Sequence, residues 1–130
     1  MKTPATVFLI DDDADDREIF ALAMAEIDPS YKCVTAKNGV EALETLNLGE
    51  LKPDCIFLDL NMPRMNGKLC LEEIKKQSRL QQIPIVIYTT SSGTRDKEQL
   101  LAMGAFAFVT KPPEIDQLIS LLKNIFSNLK

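Results

Sequence analysis

The sequence predicts an α/β protein in which five parallel strands alternate with five helices. Four apolar runs rich in β-branched and aromatic residues, at 7–10, 55–58, 85–88 and 105–109, are typical of strands buried on both faces of a parallel sheet. Segments of helical periodicity separate them, and such alternation requires helical crossovers that cover both faces. Because ligands of these folds bind beyond the carboxyl ends of the strands, those positions are where function is expected.

The remaining elements are predicted from weaker or longer patterns. A run at 31–36 alternates polar and apolar residues, which predicts an edge strand. The clearest helical stripe spans 115–129, where apolar residues recur every three or four positions after two prolines that suit a first turn. The other four helices are predicted at about 14–27, 40–48, 68–77 and 94–103.

Length and composition limit the possible functions. A chain of 130 residues has room for one domain, and its 19 acidic against 15 basic residues argue against a nucleic-acid partner. The sequence contains no histidine, which excludes a Ser-His-Asp triad and histidine metal sites. Chemistry in this protein must therefore use carboxylates, lysine, hydroxyl groups or a hard metal ion.

The cysteines and the apolar runs indicate a location. Cys33, Cys55 and Cys70 are odd in number and widely spaced, which favours small core residues in a reducing compartment over disulfides or a metal site. No run approaches the roughly 18 apolar residues of a membrane span, and residues 1–6 do not resemble a signal peptide. We therefore expect a cytoplasmic protein that does not associate with membranes.

Acidic residues follow the first and third predicted strands. Asp11 and Asp12 end the first strand, and Asp59 ends the third, with Asn61 two residues further on. Because parallel strands end at the same edge, Asp11, Asp12 and Asp59 should converge in one cleft. Three such charges ~5 Å apart repel by roughly 3 kcal/mol per pair at an effective dielectric of about 20, so a cation is expected there. Oxygen ligands without histidine or cysteine favour Mg²⁺.

Two further strand ends supply groups that recognise an anion. Thr89 follows the fourth strand and offers a hydroxyl donor, and Lys111 follows the fifth and adds a mobile positive charge. Together they suit a tetrahedral anion bonded to one carboxylate. Phosphoryl transfer requires an oxygen nucleophile, a divalent ion and fixed donors of this kind.

Each of these groups also has a purely structural interpretation. The triplet at 11–13 suits helix capping, and Asp13, Asp15 and Asp16 suit the first turn of a helix. A single Lys111 would ordinarily be a solvated surface residue. The occurrence of such groups at four of five strand ends is what favours a functional site.

Four motifs resemble one family in order and spacing, over residues 5–129. They are FLIDD at 8–12, FLDLNMP at 57–63 with Gly67, PIVIYTT at 84–90 and FVTKP at 108–112. The chain resembles the receiver domain of two-component response regulators. The resemblance implies a flavodoxin-like sheet of order 2-1-3-4-5. Because the last predicted helix runs to residue 129 of 130, we expect a single receiver domain over 1–130 with no output domain.

The resemblance also implies roles for the acidic residues. Asp59 resembles the phosphoacceptor, which takes a phosphoryl group from the histidine of a partner. Asp11 and Asp12 resemble the pair that holds Mg²⁺, with Asp12 a direct ligand and Asp11 acting mainly through water. Asp59 itself and the backbone carbonyl of Asn61 complete the implied metal ligands.

Other residues match positions that respond to phosphorylation. Thr89 resembles the switch hydroxyl, and Lys111 the lysine that pairs with the phosphoryl group. Phe108 lies at the aromatic switch position, where it has no hydroxyl and acts through packing alone. The family pattern implies a cis bond before Pro112 that aims Lys111 inward, and Thr90 is bulkier than the usual residue, which narrows access to Asp59.

The implied function is that of a signalling receiver and not of an enzyme with a free substrate. A histidine kinase or histidine phosphotransfer protein would supply the phosphoryl group, and the face of helix 4, strand 5 and helix 5 would contact a downstream protein or a second copy in a homodimer. A receiver-like adaptor that needs no phosphorylation is one alternative, although it would be expected to lack Asp59 or Lys111. A phosphohydrolase with Asp59 as nucleophile is another, although Asn61 replaces the second carboxylate.

Overall fold

The computed structural model describes residues 6–90 and 94–129, and strands and helices alternate along it as the sequence predicts. The strands are β1 (Thr6–Ile10), β2 (Lys32–Ala36), β3 (Cys55–Leu58), β4 (Ile85–Thr89) and β5 (Ala107–Thr110). The helices are α1 (Ala14–Ile27), α2 (Gly39–Asn47), α3 (Gly67–Lys75), α4 (Thr94–Ala102) and α5 (Ile115–Asn128). The element types are confirmed, and the bounds differ from the prediction by one or two residues in most cases.

All paired strands are parallel, and the sheet order is β2-β1-β3-β4-β5, as the resemblance implies. The predicted edge position of β2 is confirmed, and its residues are mostly half-buried or exposed. The prediction of two-faced burial is wrong for β5, which is half-buried through Ala107, Phe108 and Val109. The reason is its position at the opposite edge, where no further strand packs beside it.

The core consists of two apolar layers, one on each face of the sheet. Alternate strand residues point to opposite faces, so each central strand contributes to both layers. Strand residues in the layer beneath α2, α3 and α4 are Phe8, Ile10, Ile56, Leu58, Ile85 and Ile87. Those in the layer beneath α1 and α5 are Val7, Leu9, Cys55, Phe57, Val86 and Tyr88.

Helix caps account for part of the acidic triplet. Asp13 is the N-cap of α1, and its carboxylate accepts hydrogen bonds from the backbone N–H groups of Asp15 and Asp16 at 2.9 and 3.1 Å. This satisfies two of the backbone donors left free at a helix start. The structural interpretation is therefore confirmed for Asp13, while Asp11 and Asp12 precede the helix.

The C-terminal cap of α4 explains why β5 begins late. Gly104 has a φ of 106°, and the N–H of Ala105 donates to the carbonyl of Leu100 at 3.1 Å. A left-handed glycine with this bond ends a helix by turning the chain back. Ala105, the first residue of the apolar run at 105–109, therefore belongs to this cap, and β5 starts at Ala107.

The cysteines lie where the sequence predicts. Cys55 and Cys70 are buried and Cys33 is half-buried, all with free thiols. Burial raises the pKa of Cys33 to about 11 and that of Cys55 and Cys70 to about 12. Within residues 6–90 and 94–129, none of the helices combines the length and apolar character needed to cross a lipid bilayer.

Candidate functional site

Sheet hydrogen bonds hold the two buried carboxylates of the candidate site in place. The N–H of Asp11 donates to the carbonyl of Ala36, and the N–H of Asp59 donates to the carbonyl of Ile10, both at 3.0 Å. The parallel ladder therefore extends one residue beyond the ends of β1 and β3. The positions of these side chains follow from strand register and not from loop conformation.

Asp11, Asp12 and Asp59 come together as the sequence predicts. One carboxylate oxygen from each lies within 4.8 Å of the others. Asp11 is 0% and Asp59 5% exposed, whereas Asp12 is open to solvent. The cluster therefore has two buried carboxylates and a third at its solvent side.

Lys111 lies in the middle of this acidic cluster. Its Nζ is 2.8 Å from Asp11 Oδ2, 2.8 Å from Asp16 Oδ2 and 3.5 Å from Asp59 Oδ2. The ammonium also lies 5.5 Å from the centre of the buried Tyr88 ring. Sequence reasoning assigned Asp16 only to the first turn of α1, because nothing in the local pattern signals a partner 95 residues away.

Burial and ion pairing act in opposite directions on these groups. Burial lowers the pKa of Lys111, but hydrogen bonds and charge interactions with Asp11 and Asp16 outweigh it, so that its pKa lies above the ordinary value. Burial raises the pKa of Asp11, although the Lys111 ammonium and the N–H of Asp13 oppose this effect. Lys111 therefore stays protonated, whereas ionisation of the buried Asp11 carboxylate costs free energy of folding.

The expected cis bond before Pro112 is wrong, because the described chain contains only trans peptide bonds. Lys111 is nonetheless aimed inward. Its backbone N–H donates to the carbonyl of Thr89 at 2.7 Å, which extends the sheet by one residue beyond Thr110. Side-chain alternation then leaves Thr110 exposed and directs Lys111 into the cleft.

The other predicted residues take different positions around the cluster. Thr89 is fully buried at the end of β4, and Thr90 is exposed beside the cleft next to Lys111. Asn61 is exposed, and its N–H lies 3.4 Å from Asp59 Oδ1. Phe108 is half-buried and packs against the core layer beneath α2, α3 and α4.

The residues present fit a hard divalent cation. All three clustered side chains are carboxylates, the ligand type that Mg²⁺ prefers. Among the described buried side-chain atoms, Asp11 Oδ2 alone accepts no hydrogen bond of good geometry, although Lys111 Nζ lies 2.8 Å from it. A buried carboxylate oxygen that accepts no hydrogen bond is suited to bind a cation, or a water molecule that the cation holds.

Known proteins resemble this chain in both sequence and structure. The sequence profile of the response regulator receiver domain matches residues 7–123. A probable transcriptional regulator, ycf29, of Porphyra purpurea is 33% identical over 99 residues, which cover 76% of this chain and 46% of that protein. The chain spans less than half the length of this protein and of other curated relatives that it matches.

Two solved structures share nearly the whole fold. The phosphorylated cyanobacterial phytochrome response regulator RcpA has a TM-score of 0.88 and 29% identity, with 96% of this chain and 93% of that chain covered. The Mn²⁺-bound form of the response regulator Rcp1 has a TM-score of 0.85 and 25% identity, with 98% and 96% covered. Since the family profile covers most of the chain and the sheet order agrees, this protein belongs to the response regulator receiver domain family.

Proposed function

We propose that this receiver accepts a phosphoryl group on Asp59 from the phosphohistidine of a histidine kinase or histidine phosphotransfer protein. The observation that carries the proposal is the convergence of three carboxylates and Lys111 within one cleft. A carboxylate oxygen of Asp59 attacks phosphorus, the P–N bond to the imidazole breaks, and the released imidazole takes up a proton. The absence of histidine from this chain is consistent with a donor imidazole on another protein.

Mg²⁺, held by Asp11, Asp12, Asp59 and the Asn61 carbonyl, would neutralise charge on the phosphoryl oxygens during transfer. Two residues of the chain would act on the phosphoryl group as well. Lys111 supplies a second positive charge beside the Asp59 oxygen, and the buried Thr89 hydroxyl lies at the end of the neighbouring strand. Both groups are suited to bind the phosphoryl group after transfer.

Phosphorylation adds roughly −1.5 to −2 charge at the cluster and biases a two-state equilibrium toward the state that pairs with it. Thr89 and Phe108 are the proposed switch residues. Since Phe108 has no hydroxyl and packs against the core, a change in its packing is the only signal that it can give.

Output is proposed to occur by protein contact and not by catalysis on a free substrate. Exposed apolar side chains occur along the elements proposed to contact a partner, at Leu101 in α4, Phe106 just before β5 and Ile115 at the start of α5, with exposed fractions of 38%, 44% and 38%. Exposed apolar residues of this size favour a protein partner, whether a downstream target or a second copy. We further propose that the single receiver domain acts in the cytoplasm, in keeping with its three free thiols.

The decisive experiment is phosphorylation by acetyl phosphate with Mg²⁺, followed by intact mass. The wild-type chain should gain one phosphoryl group, and Asp59→Asn should gain none. Asp15→Asn is the matched control, because Asp15 is an exposed carboxylate outside the cluster. Labelling that persists in Asp59→Asn would exclude this residue as the phosphoacceptor.

A further inference from the structure

Among the described carboxylates that pair with Lys111, Asp16 is the one that has no part in the proposed metal site. Its Oδ2 lies 2.8 Å from Lys111 Nζ, as close as Asp11 Oδ2. Asp16 lies outside the group of carboxylates that could share a cation, which contains Asp11, Asp12 and Asp59. A contact across 95 residues of sequence, between α1 and the end of β5, calls for an explanation other than helix capping.

The geometry around the ammonium leaves hydrogen-bond donors for the phosphoacceptor. A lysine ammonium carries three N–H donors on a long flexible side chain. Asp16 accepts a hydrogen bond from one of them at 2.8 Å. Asp11 Oδ2 and Asp59 Oδ2 lie 2.8 and 3.5 Å from Nζ as ion pairs. The bond to Asp16 therefore orients the ammonium beside Asp59, where its other N–H groups can reach the oxygen atoms.

We propose that Asp16 is a positioning residue for phosphoryl transfer, which orients Lys111 so that another of its N–H donors faces the phosphoryl group on Asp59. This inference rests on the proposed function. Asp16 acts through Lys111 and is not one of the carboxylates that could hold the metal.

A role in stability would account for Asp16 less well. The Asp16 side chain is 33% exposed, so solvent weakens its ion pair with Lys111, whose side chain is 9% exposed. Asp15 lies in the same first turn and shares its favourable interaction with the helix dipole. Asp15→Asn therefore removes a negative charge from the same helix turn but leaves the contact between Asp16 and Lys111 in place.

The test compares initial rates of Asp59 phosphorylation by acetyl phosphate at saturating Mg²⁺. Asp16→Asn should be slower by about 10-fold, less than the roughly 100-fold that a 1 Å misplacement can cost, because Asp11 still pairs with Lys111. Asp16→Glu should recover most of the rate, and Asp15→Asn should match the wild type. Without Mg²⁺, NMR relaxation of the Lys111 ε-methylene group should report a more mobile side chain in Asp16→Asn and no change in Asp15→Asn.

A second pair of variants separates positioning from a general charge effect. In a Lys111→Met background, Asp16→Asn should cause no further loss, because residues that act as a unit are not additive. An unchanged or faster rate in Asp16→Asn, an equal loss in the Lys111→Met background, or unchanged Lys111 mobility would each overturn the inference. If the wild-type chain is not phosphorylated at all, the proposed function itself is wrong. If the wild type is phosphorylated but the variants do not behave as stated, only the role of Asp16 is wrong.

Discussion

A β-carbon on Gly67 would overlap the backbone carbonyl oxygen of Asp59. The first residue of α3 thus lies directly against the peptide that carries the proposed phosphoacceptor, and its N–H donates to the carbonyl of Leu60 at 3.0 Å. Glycine is required here for close approach and not for backbone conformation, since the obstacle is another segment of main chain.

Gly67→Ala should therefore destabilise the fold and displace Asp59. We expect the free energy of unfolding in urea to fall by about 2–3 kcal/mol, as for overpacked core sites. Phosphorylation by acetyl phosphate should slow as well. Glu72→Ala, an exposed substitution in the same helix, should change stability by less than about 0.5 kcal/mol. Equal urea midpoints for the two variants would contradict this account.

Mg²⁺ should stabilise the folded protein through the carboxylate cluster. A ligand present at about ten times its Kd adds about 1.4 kcal/mol to the free energy of unfolding. Thermal melts with Mg²⁺ and after its removal by EDTA should show this difference for the wild type, and Asp12→Asn should show a smaller one. Asp12 is exposed, so this variant should fold normally. An undiminished Mg²⁺ response in Asp12→Asn would argue against Asp12 as a ligand.

Asp11→Asn should raise the melting temperature in the absence of Mg²⁺. Burial raises the pKa of Asp11 above the ordinary 3.8, so the contribution of this group to stability is present below pH 3.8 and is lost as pH rises through the folded-state pKa. At pH 7 the ionised carboxylate is thus destabilising. Lys111 also pairs with Asp16 at 2.8 Å, so it should not lose its only close counterion when the charge at position 11 is removed. We expect a gain of roughly 3 °C.

The gain in melting temperature from Asp11→Asn should depend on pH, because the pKa of Asp11 is raised in the folded state. The difference between Asp11→Asn and the wild type should be largest near neutral pH and should shrink as pH falls toward 4, where Asp11 takes up a proton in both the folded and unfolded states. A difference that grows on acidification would show that Asp11 is stabilising when ionised.

Alkaline pH should destabilise the protein through its buried thiols. The pKa of Cys55 rises from 9.0 to about 12 and that of Cys70 from 9.0 to about 12 on folding, mainly through burial. Between pH 9 and 12 the unfolded chain loses these protons and the folded chain keeps them, so stability falls as pH rises. Each thiol contributes up to about 1.4 kcal/mol per pH unit. Urea midpoints at pH 8, 9 and 10 should fall less steeply for Cys70→Ala.

Most of the fold could be predicted because local pattern and topology agree. Continuous apolar runs predicted the central strands, and the alternating run predicted the edge position of β2. The start of β5 was predicted too early because the C-terminal cap of α4 depends on where that helix ends. The half-burial of β5 depends on which elements pack against it, and an apolar run in the sequence does not indicate this.

The cluster could be predicted because parallel strands end at a common edge. Asp11, Asp12 and Asp59 come together for that reason, and Lys111 joins them across the sheet. The contact of Asp16 with Lys111 could not be predicted, since a first-turn aspartate already has a sufficient local explanation. Its partner is set by tertiary packing, in which α1 lies beside α5 on one face of the sheet, a relationship that no local sequence pattern signals.

The hydrogen bond from the N–H of Lys111 to the carbonyl of Thr89, at 2.7 Å, has a consequence for genetics. It joins the backbone of the residue that carries the proposed switch hydroxyl to the end of β5, an edge strand of the sheet that is only half-buried. Substitutions that fray β5 should therefore disable signalling without altering any residue that handles phosphate. Loss-of-function alleles should occur along that strand as well as in the cleft, and a screen restricted to the acidic residues would miss them.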